Sequence, residues 1–269
     1  MTVNQRQGKA MKCAVALLLL VANIAEGATS SSANDSSLNR LLRGDALGPQ
    51  RLLRLRDIET SPWEFDFGLS FTDPEQPGDA WETPVSLDYS FDANDILTFS
   101  TGYVRQNDGS EDSSGADDFG VSYRHDFQPV CEVCSEVLVA GVTVPSGGSV
   151  GSNTAKQFLK LGIGYALSTE WTIGASATAI HINNPDPGVS ETGGRYVVNL
   201  QKGFANQSAF VVRLLQDERD GEDATTTAEI EYDFPLGTLL SGALVVDQGL
   251  TSDHRDTYAE FDLAYKFGW

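Results

Sequence analysis

From Trp63 to the end of the chain, apolar and polar residues alternate in a succession of short segments. The first segment has small or charged residues on one face and, on the other, Trp63, Phe65, Phe67, Leu69 and Phe71. Successive side chains of a β-strand point to opposite faces, so a period of two predicts strands with one apolar and one polar face. Counting from this segment to the last one predicts about twelve strands.

The connections between the segments sort by length. Tight turns fall at 92–94, 168–169, 205–207 and 235–236, and long polar stretches fall at 72–82, 106–117, 145–155, 183–193, 216–223 and 248–256. An even number of antiparallel strands with short turns at one end and long loops at the other predicts an all-β fold. Its architecture would be a transmembrane antiparallel up-and-down β-barrel of the outer-membrane type. A soluble β-sandwich is the alternative, but its loops would have no reason to sort by length.

The predicted outward face is suited to lipid. Its ionisable exceptions are Arg105, His125 and Lys202, each at a strand end where the charge can reach water. Aromatic residues gather at the short-turn end, as in the girdle expected at the periplasmic interface: Trp63, Phe91, Phe127, Trp171, Phe204, Phe234, Phe267 and Trp269.

The N-terminus has the layout of a signal peptide. Basic residues at Arg6, Lys9 and Lys12 precede the apolar run Cys13–Ala22, and small residues near Gly27 offer a cleavage site. This layout predicts a signal peptide over residues 1–27 and export to the cell outer membrane. The run is too short to span a bilayer; an uncleaved N-terminal anchor is the alternative.

Residues 28–61 separate the signal peptide from the barrel domain, which is predicted over 62–269. A Ser-rich linker is followed by Leu38–Arg56, which mixes leucine and arginine at helical spacing. Because the first strand starts at the short-turn end, this region is predicted to be periplasmic. It would either enter the lumen as a basic plug or remain a tether or a membrane-surface helix, and the sequence leaves both open.

The chain is strongly acidic, with 38 Asp and Glu against 18 Lys and Arg and a formal net charge of −20. Phosphate contacts need clustered Lys and Arg, so no nucleic-acid partner is predicted. The acidic loop residues lack the spacing of an EF-hand, and no metal or cofactor is predicted.

Cys131 and Cys134 lie in a predicted turn and are candidates for a local disulfide formed in the periplasm.

The last strand carries an assembly signal. Its residues resemble the C-terminal pattern by which outer-membrane barrels are recognised for assembly: Phe261, Leu263, Tyr265, Phe267 and Trp269. The resemblance implies the barrel-assembly machinery as a partner, beside the outer-membrane lipids and lipopolysaccharide that surround such a barrel. The pattern usually ends in Phe, and Trp269 stands in its place.

Two short stretches carry a narrower resemblance. Asp117–Arg124 reads Asp-Asp-Phe-Gly-Val-Ser-Tyr-Arg, and Ala140–Gly147 reads Ala-Gly-Val-Thr-Val-Pro-Ser-Gly. Both are similar to the phenol-degradation MetA-pathway outer-membrane family, in which the second stretch closes in Pro-Thr-Gly and Ser146 replaces the Thr. The resemblance implies a transporter of small solutes, hydrophobic or aromatic ones among them.

The polar register faces the inside of the predicted barrel. Its lumen-facing candidates are Asp66, Asp88, Arg124, Lys160, Asn199, Gln201, Arg213, Glu229, Glu231, Asp247, Glu260, Asp262 and Lys266. Acidic residues outnumber basic ones here, which predicts a narrow pore that prefers cations. The predicted function is a passive outer-membrane channel or transporter for small solutes of unknown identity. A structural or adhesion-type barrel that acts through its acidic surface loops is the alternative.

An outer-membrane lipid-modifying enzyme is a third interpretation. The sites of such enzymes resemble a His-x-Ser pair, which a strand would place on one face. His125, His181 and His254 each lack a serine two positions later. No catalytic residue is therefore predicted.

Overall fold

The structure, a computed structural model, describes residues 62–73, 79–92, 94–107, 112–147, 154–183, 190–220, 223–251 and 256–267. The predicted signal peptide, the segment 28–61, His254 and Trp269 lie outside these residues. No helix within the described ranges has the length and hydropathy needed to cross a membrane.

The described residues form antiparallel strands joined in chain order. Their bounds are β1 (Trp63–Asp73), β2 (Asp79–Ser90), β3 (Asp95–Asn107), β4 (Asp112–Ala116), β5 (Phe119–Asp126), β6 (Cys134–Val144), β7 (Ala155–Ala166), β8 (Trp171–Asn183), β9 (Ser190–Gly203), β10 (Ala209–Arg219), β11 (Thr225–Pro235), β12 (Leu240–Gly249) and β13 (Thr257–Phe267). From β5 to β13 each strand pairs with the next, and β13 pairs with β1. The sheet therefore closes into an up-and-down barrel, which confirms the predicted fold class.

Two of these strands share one position in the barrel wall. The half of β3 near the long-loop end pairs with β4 (Tyr103 with Ala116). The half near the short-turn end pairs with β5 (Asp95 with His125). The barrel thus has twelve strand positions, as predicted, although the prediction of an unbroken loop over 106–117 is wrong. β4 has no apolar alternation to reveal it; the long β3 supplies its hydrogen-bonding partners.

A buried break separates β4 from β5. Asp118 is fully buried, and its carboxylate accepts a hydrogen bond from the Ser146 amide at 3.1 Å. The Ser146 hydroxyl donates to the carbonyl of Ala116 at 2.9 Å. The two stretches that carry the family resemblance therefore meet at the outer end of β5 and β6, where they fix the end of the shared strand position.

The barrel is apolar outside and polar inside, the reverse of a soluble protein. Leu161 is 56% exposed and Leu214 is 52% exposed, whereas the polar face carries Lys160 and Glu229 in buried positions. An exposed apolar surface of this extent is the one expected of a barrel embedded in lipid. A small apolar cluster, Val137, Val139 and Phe158 with Ile180, lies on the inner face.

Aromatic side chains contact one another at the short-turn end. The ring centroids of Trp63 and Tyr89 lie 4.4 Å apart, and those of Tyr89 and Phe91 lie 4.9 Å apart. The Lys202 ammonium lies 5.3 Å from the ring centroid of Trp171 and 5.2 Å from that of Phe204. A cation between two aromatic faces suits a membrane interface, where one side of the group is wet and the other apolar.

The strands run further toward the long-loop end than the alternation predicted. β2 begins at Asp79 and β9 at Ser190, inside stretches expected to be loops. In β9 the added residues Glu191, Thr192, Gly193 and Gly194 have no apolar side chain, so the alternation is lost there while the strand still pairs with β8. The short turns carry side-chain caps; the Ser168 hydroxyl, for example, accepts from the amide of Trp171 at 3.1 Å.

Candidate functional site: the charged inner face

The candidates proposed from sequence lie on the strand faces turned away from the exposed apolar residues. Asp66, Asp88, Glu231, Asp262 and Lys266 are partly buried there, and the buried members are Arg124, Lys160, Asn199, Gln201, Arg213, Glu229, Asp247 and Glu260. Their placement follows from the strand period, which continues through each strand without interruption. They are spread around the wall rather than collected at one point.

Arg213 is the centre of a buried charge cluster. It lies opposite Glu229 in the register of β10 and β11, and its Nη1 donates to the carboxylates of both Glu229 and Glu231. The Arg213 side chain is 5% exposed and that of Glu229 is fully buried. Asp247 is the register partner of Glu229 on β12, so the acidic side of the cluster continues along the wall.

Arg195 and Asp217 form a second ion pair across β9 and β10. Nε of Arg195 lies 2.5 Å from Oδ1 of Asp217, and Nη2 lies 2.9 Å from Oδ2. This two-point contact is the strong geometry for an arginine and a carboxylate. Neither residue was among the candidates from sequence: Asp217 lies in the predicted loop 216–223, and Arg195 lies just after the predicted loop 183–193, ahead of the alternating part of its strand.

Two further pairs hold charges on the inner face near the short-turn end. Arg124 contacts the carboxylate of Asp126 on its own strand, with Nε–Oδ2 and Nη2–Oδ1 distances of 2.9 Å and 2.6 Å. Nζ of Lys266 lies 3.8 Å from Oε2 of Glu64 across the β1–β13 closure. Other inward ionisable residues near strand ends were also absent from the candidates: Glu64, Glu82, Asp126, Lys156, Glu191, Arg219 and Asp233. Continuing the period of two to the strand ends would have found them.

Several buried polar atoms of the inner face have no hydrogen-bond partner within the described part of the chain. They include Oγ1 of Thr172, Oγ1 of Thr178 and Oδ1 of Asn199. Buried polar groups are otherwise almost always paired with protein or water. Such atoms therefore favour an inner face that is hydrated or contacts a polar solute.

The three ionisable residues expected on the outward face keep to strand ends. The side chain of Arg105 pairs with Asp112 at 2.9 Å in an exposed position. Nδ1 of His125 lies 2.7 Å from Oδ1 of Asp95, and the His125 side chain is not part of the inner face.

Cys131 and Cys134 form a disulfide in the turn between β5 and β6. Among the described residues, no group of three or more His, Cys, Asp and Glu is placed to hold a metal ion.

The fold has clear counterparts among solved structures. The chain is similar to the COG4313 outer membrane channel from Pseudomonas putida F1 with a TM-score of 0.60 and 11% identity, covering 77% of this chain and 96% of that one. It is similar to the KdgM porin (TM-score 0.56, 11% identity, 76% and 99% covered) and to the NanC porin (TM-score 0.57, 8% identity, 76% and 100% covered). No family model and no curated protein matches the sequence. The fold is thus that of outer-membrane channels and porins.

Proposed function

We propose that this protein is an outer-membrane channel through which small solutes diffuse passively. The observation that carries the proposal is the closed barrel with an exposed apolar exterior and a continuous charged interior. Charged inward residues are the usual means by which a pore wall selects its solutes.

The proposal includes the setting of the channel. The exterior suits outer-membrane lipids and lipopolysaccharide, and the last strand suits recognition by the barrel-assembly machinery. The likeness to a COG4313 outer membrane channel supports the cell outer membrane as the location. The meeting of Asp118 and Ser146 supports membership of the phenol-degradation MetA-pathway family, because it gives the two resembling stretches a common structural role.

The apolar cluster on the inner face supports a solute that has an apolar part. Val139 and Phe158 supply a surface on which an apolar or aromatic group could rest, between the inward lysines Lys156 and Lys160. A solute with an apolar body and a charged group would suit this stretch of wall. The proposal is a non-enzymatic channel, and the solved structures that the fold resembles are channels and porins.

Planar-bilayer recording and liposome swelling test the channel function. We expect discrete conductance steps from the purified, folded barrel and swelling of liposomes in isosmotic solutions of small solutes. Folding is checked independently by the heat-dependent shift of the barrel on a gel. A correctly folded barrel that neither conducts ions nor passes solutes would overturn the channel and favour the structural or adhesion-type alternative.

A further inference from the structure

Acidic and basic residues of the inner face lie mainly on opposite sides of the barrel. The strands β11, β12, β13, β1 and β2 are consecutive in the barrel and carry the inward acids Glu229, Glu231, Asp233, Asp247, Glu260, Asp262, Glu64, Asp66, Glu82 and Asp88. We call this wall the acidic arc. Its inward basic residue within the described strands is Lys266, at the short-turn end.

The opposite wall, from β5 to β10, carries the remaining inward basic residues described: Arg124, Lys156, Lys160, Arg195, Arg213 and Arg219. We call it the basic arc. Asp126, Glu191 and Asp217 also lie on it, and Asp126 and Asp217 each pair with an arginine of the same arc. With six basic and three acidic residues the arc keeps a positive balance, and one of the six, Arg213, also pairs with Glu229 and Glu231 of the acidic arc.

The centres of the two arcs face each other across the barrel. Going from β13 through β1, β2, β3, β5 and β6 to β7 takes six steps, and the other way through β12, β11, β10, β9 and β8 also takes six. Lys156 and Lys160 on β7 are thus half a turn from Glu260 and Asp262 on β13. The field between them runs across the lumen, and low-dielectric walls strengthen such a field.

The basic arc also holds a polar group suited to an anion. Arg124, Val139, Lys160, Thr178 and Arg195 are successive register partners from β5 to β9. Thr178 lies between the two cations Lys160 and Arg195, is 3% exposed, and its hydroxyl has no hydrogen-bond partner among the described residues. A carboxylate at this point would accept a hydrogen bond from the hydroxyl and lie between Lys160 and Arg195, whose guanidinium also binds Asp217.

We propose that the channel selects small zwitterions, solutes that carry a carboxylate and an ammonium group. The carboxylate turns to the basic arc at Lys160, Thr178 and Arg195, and the ammonium turns to the acidic arc at Glu260 and Asp262. A solute with one charge gains at one wall and loses at the other, whereas a zwitterion aligned across the lumen gains at both. The proposal rests on the proposed channel function and names its solute class.

Uptake of three labelled solutes of similar size into proteoliposomes tests the proposal. Trace amounts of the zwitterion 4-aminobutyrate, the cation butylammonium and the anion butyrate are added in excess potassium chloride, whose permeant ions balance the charge that each solute moves, and uptake by protein-free liposomes is subtracted. We expect the zwitterion to enter several-fold faster than either singly charged solute. A wild-type barrel that conducts potassium chloride but shows no preference for 4-aminobutyrate would overturn the zwitterion proposal and leave the channel function standing.

A charge exchange tests the cause of the preference. The variant K156E/K160E/E260K/D262K keeps the net charge but removes the sorting by wall, so the preference for 4-aminobutyrate should fall to near one. The milder K160E/E260K exchange serves if the fourfold variant does not assemble, and should lower the preference partly. The exchange R105D/D112R on the exterior is the matched control and should leave the preference unchanged. A folded K156E/K160E/E260K/D262K or K160E/E260K barrel whose preference for 4-aminobutyrate is undiminished would overturn the proposal.

Discussion

Phe158 on β7 lies across the inner face of β6 on its register partner Gly141. A Cβ at position 141 would come within 2.4 Å of Cζ of Phe158 and 2.8 Å of the carbonyl oxygen of Val121. The absence of a side chain at Gly141 therefore leaves the space that the ring occupies. The ring in turn covers the exposed backbone at the glycine, a known way to stabilise a glycine in a sheet.

This contact predicts the effect of a methyl group at position 141. We expect Gly141→Ala to lower the free energy of unfolding by about 1–3 kcal/mol, because an overpacked contact forces the ring and backbone to shift. Urea unfolding of the barrel in detergent micelles measures it. In the Phe158→Leu background the same change should cost clearly less; an equal cost in both backgrounds would contradict the contact as the cause.

The Arg213 cluster predicts a strong effect of removing its cation. Arg213→Met leaves the fully buried Glu229 and the partly buried Glu231 without their common partner. We expect a loss of about 3–5 kcal/mol in unfolding free energy, as for other broken buried ion pairs. The triple change R213M/E229Q/E231Q should recover most of it. A triple variant as unstable as the single one would show that charge compensation is not the reason.

The excess of inward acids predicts a preference for cations among inorganic ions. In a potassium chloride gradient across a planar bilayer, we expect the reversal potential to have the sign of potassium selectivity. Neutralising Glu260 and Asp262 together as E260Q/D262N should reduce it. Selectivity for chloride in the wild-type channel would contradict the charge balance read from the inner face.

The N-terminal segment is predicted to regulate the pore of the barrel. Leu38–Arg56 carries five arginines, at 40, 43, 51, 54 and 56, and the acidic arc supplies carboxylates that could hold them. Each exposed pair contributes only about 0.2–1 kcal/mol, so several must act together. Deleting residues 29–58 should give a larger or steadier current from an assembled barrel. Unchanged conductance would identify the segment as a tether instead.

The turn between β5 and β6 predicts a disulfide of small energetic effect. A thiol reagent should label neither Cys131 nor Cys134 in the exported, unreduced protein and both after reduction and unfolding. The double change C131A/C134A should leave the barrel assembled with little change in unfolding free energy, because the closed loop is very short. Two reactive thiols before reduction would contradict the bond.

The sequence by itself determined the strands, the two faces and the closed antiparallel fold. A period of two assigns Lys160 and Glu229 to the inside and Leu161 and Ile230 to the outside wherever the alternation is strong. It could not reveal β4, whose residues Asp112–Ala116 are small and polar and form a strand only by pairing with the long β3. The alternation also missed Arg195 and Asp217, because these two residues lie beyond the alternating part of their strands.

Only the tertiary structure decided which charges face each other. The alternation places a side chain inside but does not fix the strand opposite to it, since that depends on the number of positions around the wall. Because β4 and β5 share one position, β7 comes to lie half a turn from β13, and Lys160 faces the wall of Glu260. The register at closure likewise pairs Glu64 with Lys266. These relations join residues far apart in sequence through hydrogen bonds around the whole barrel, so they exist only once the sheet has closed.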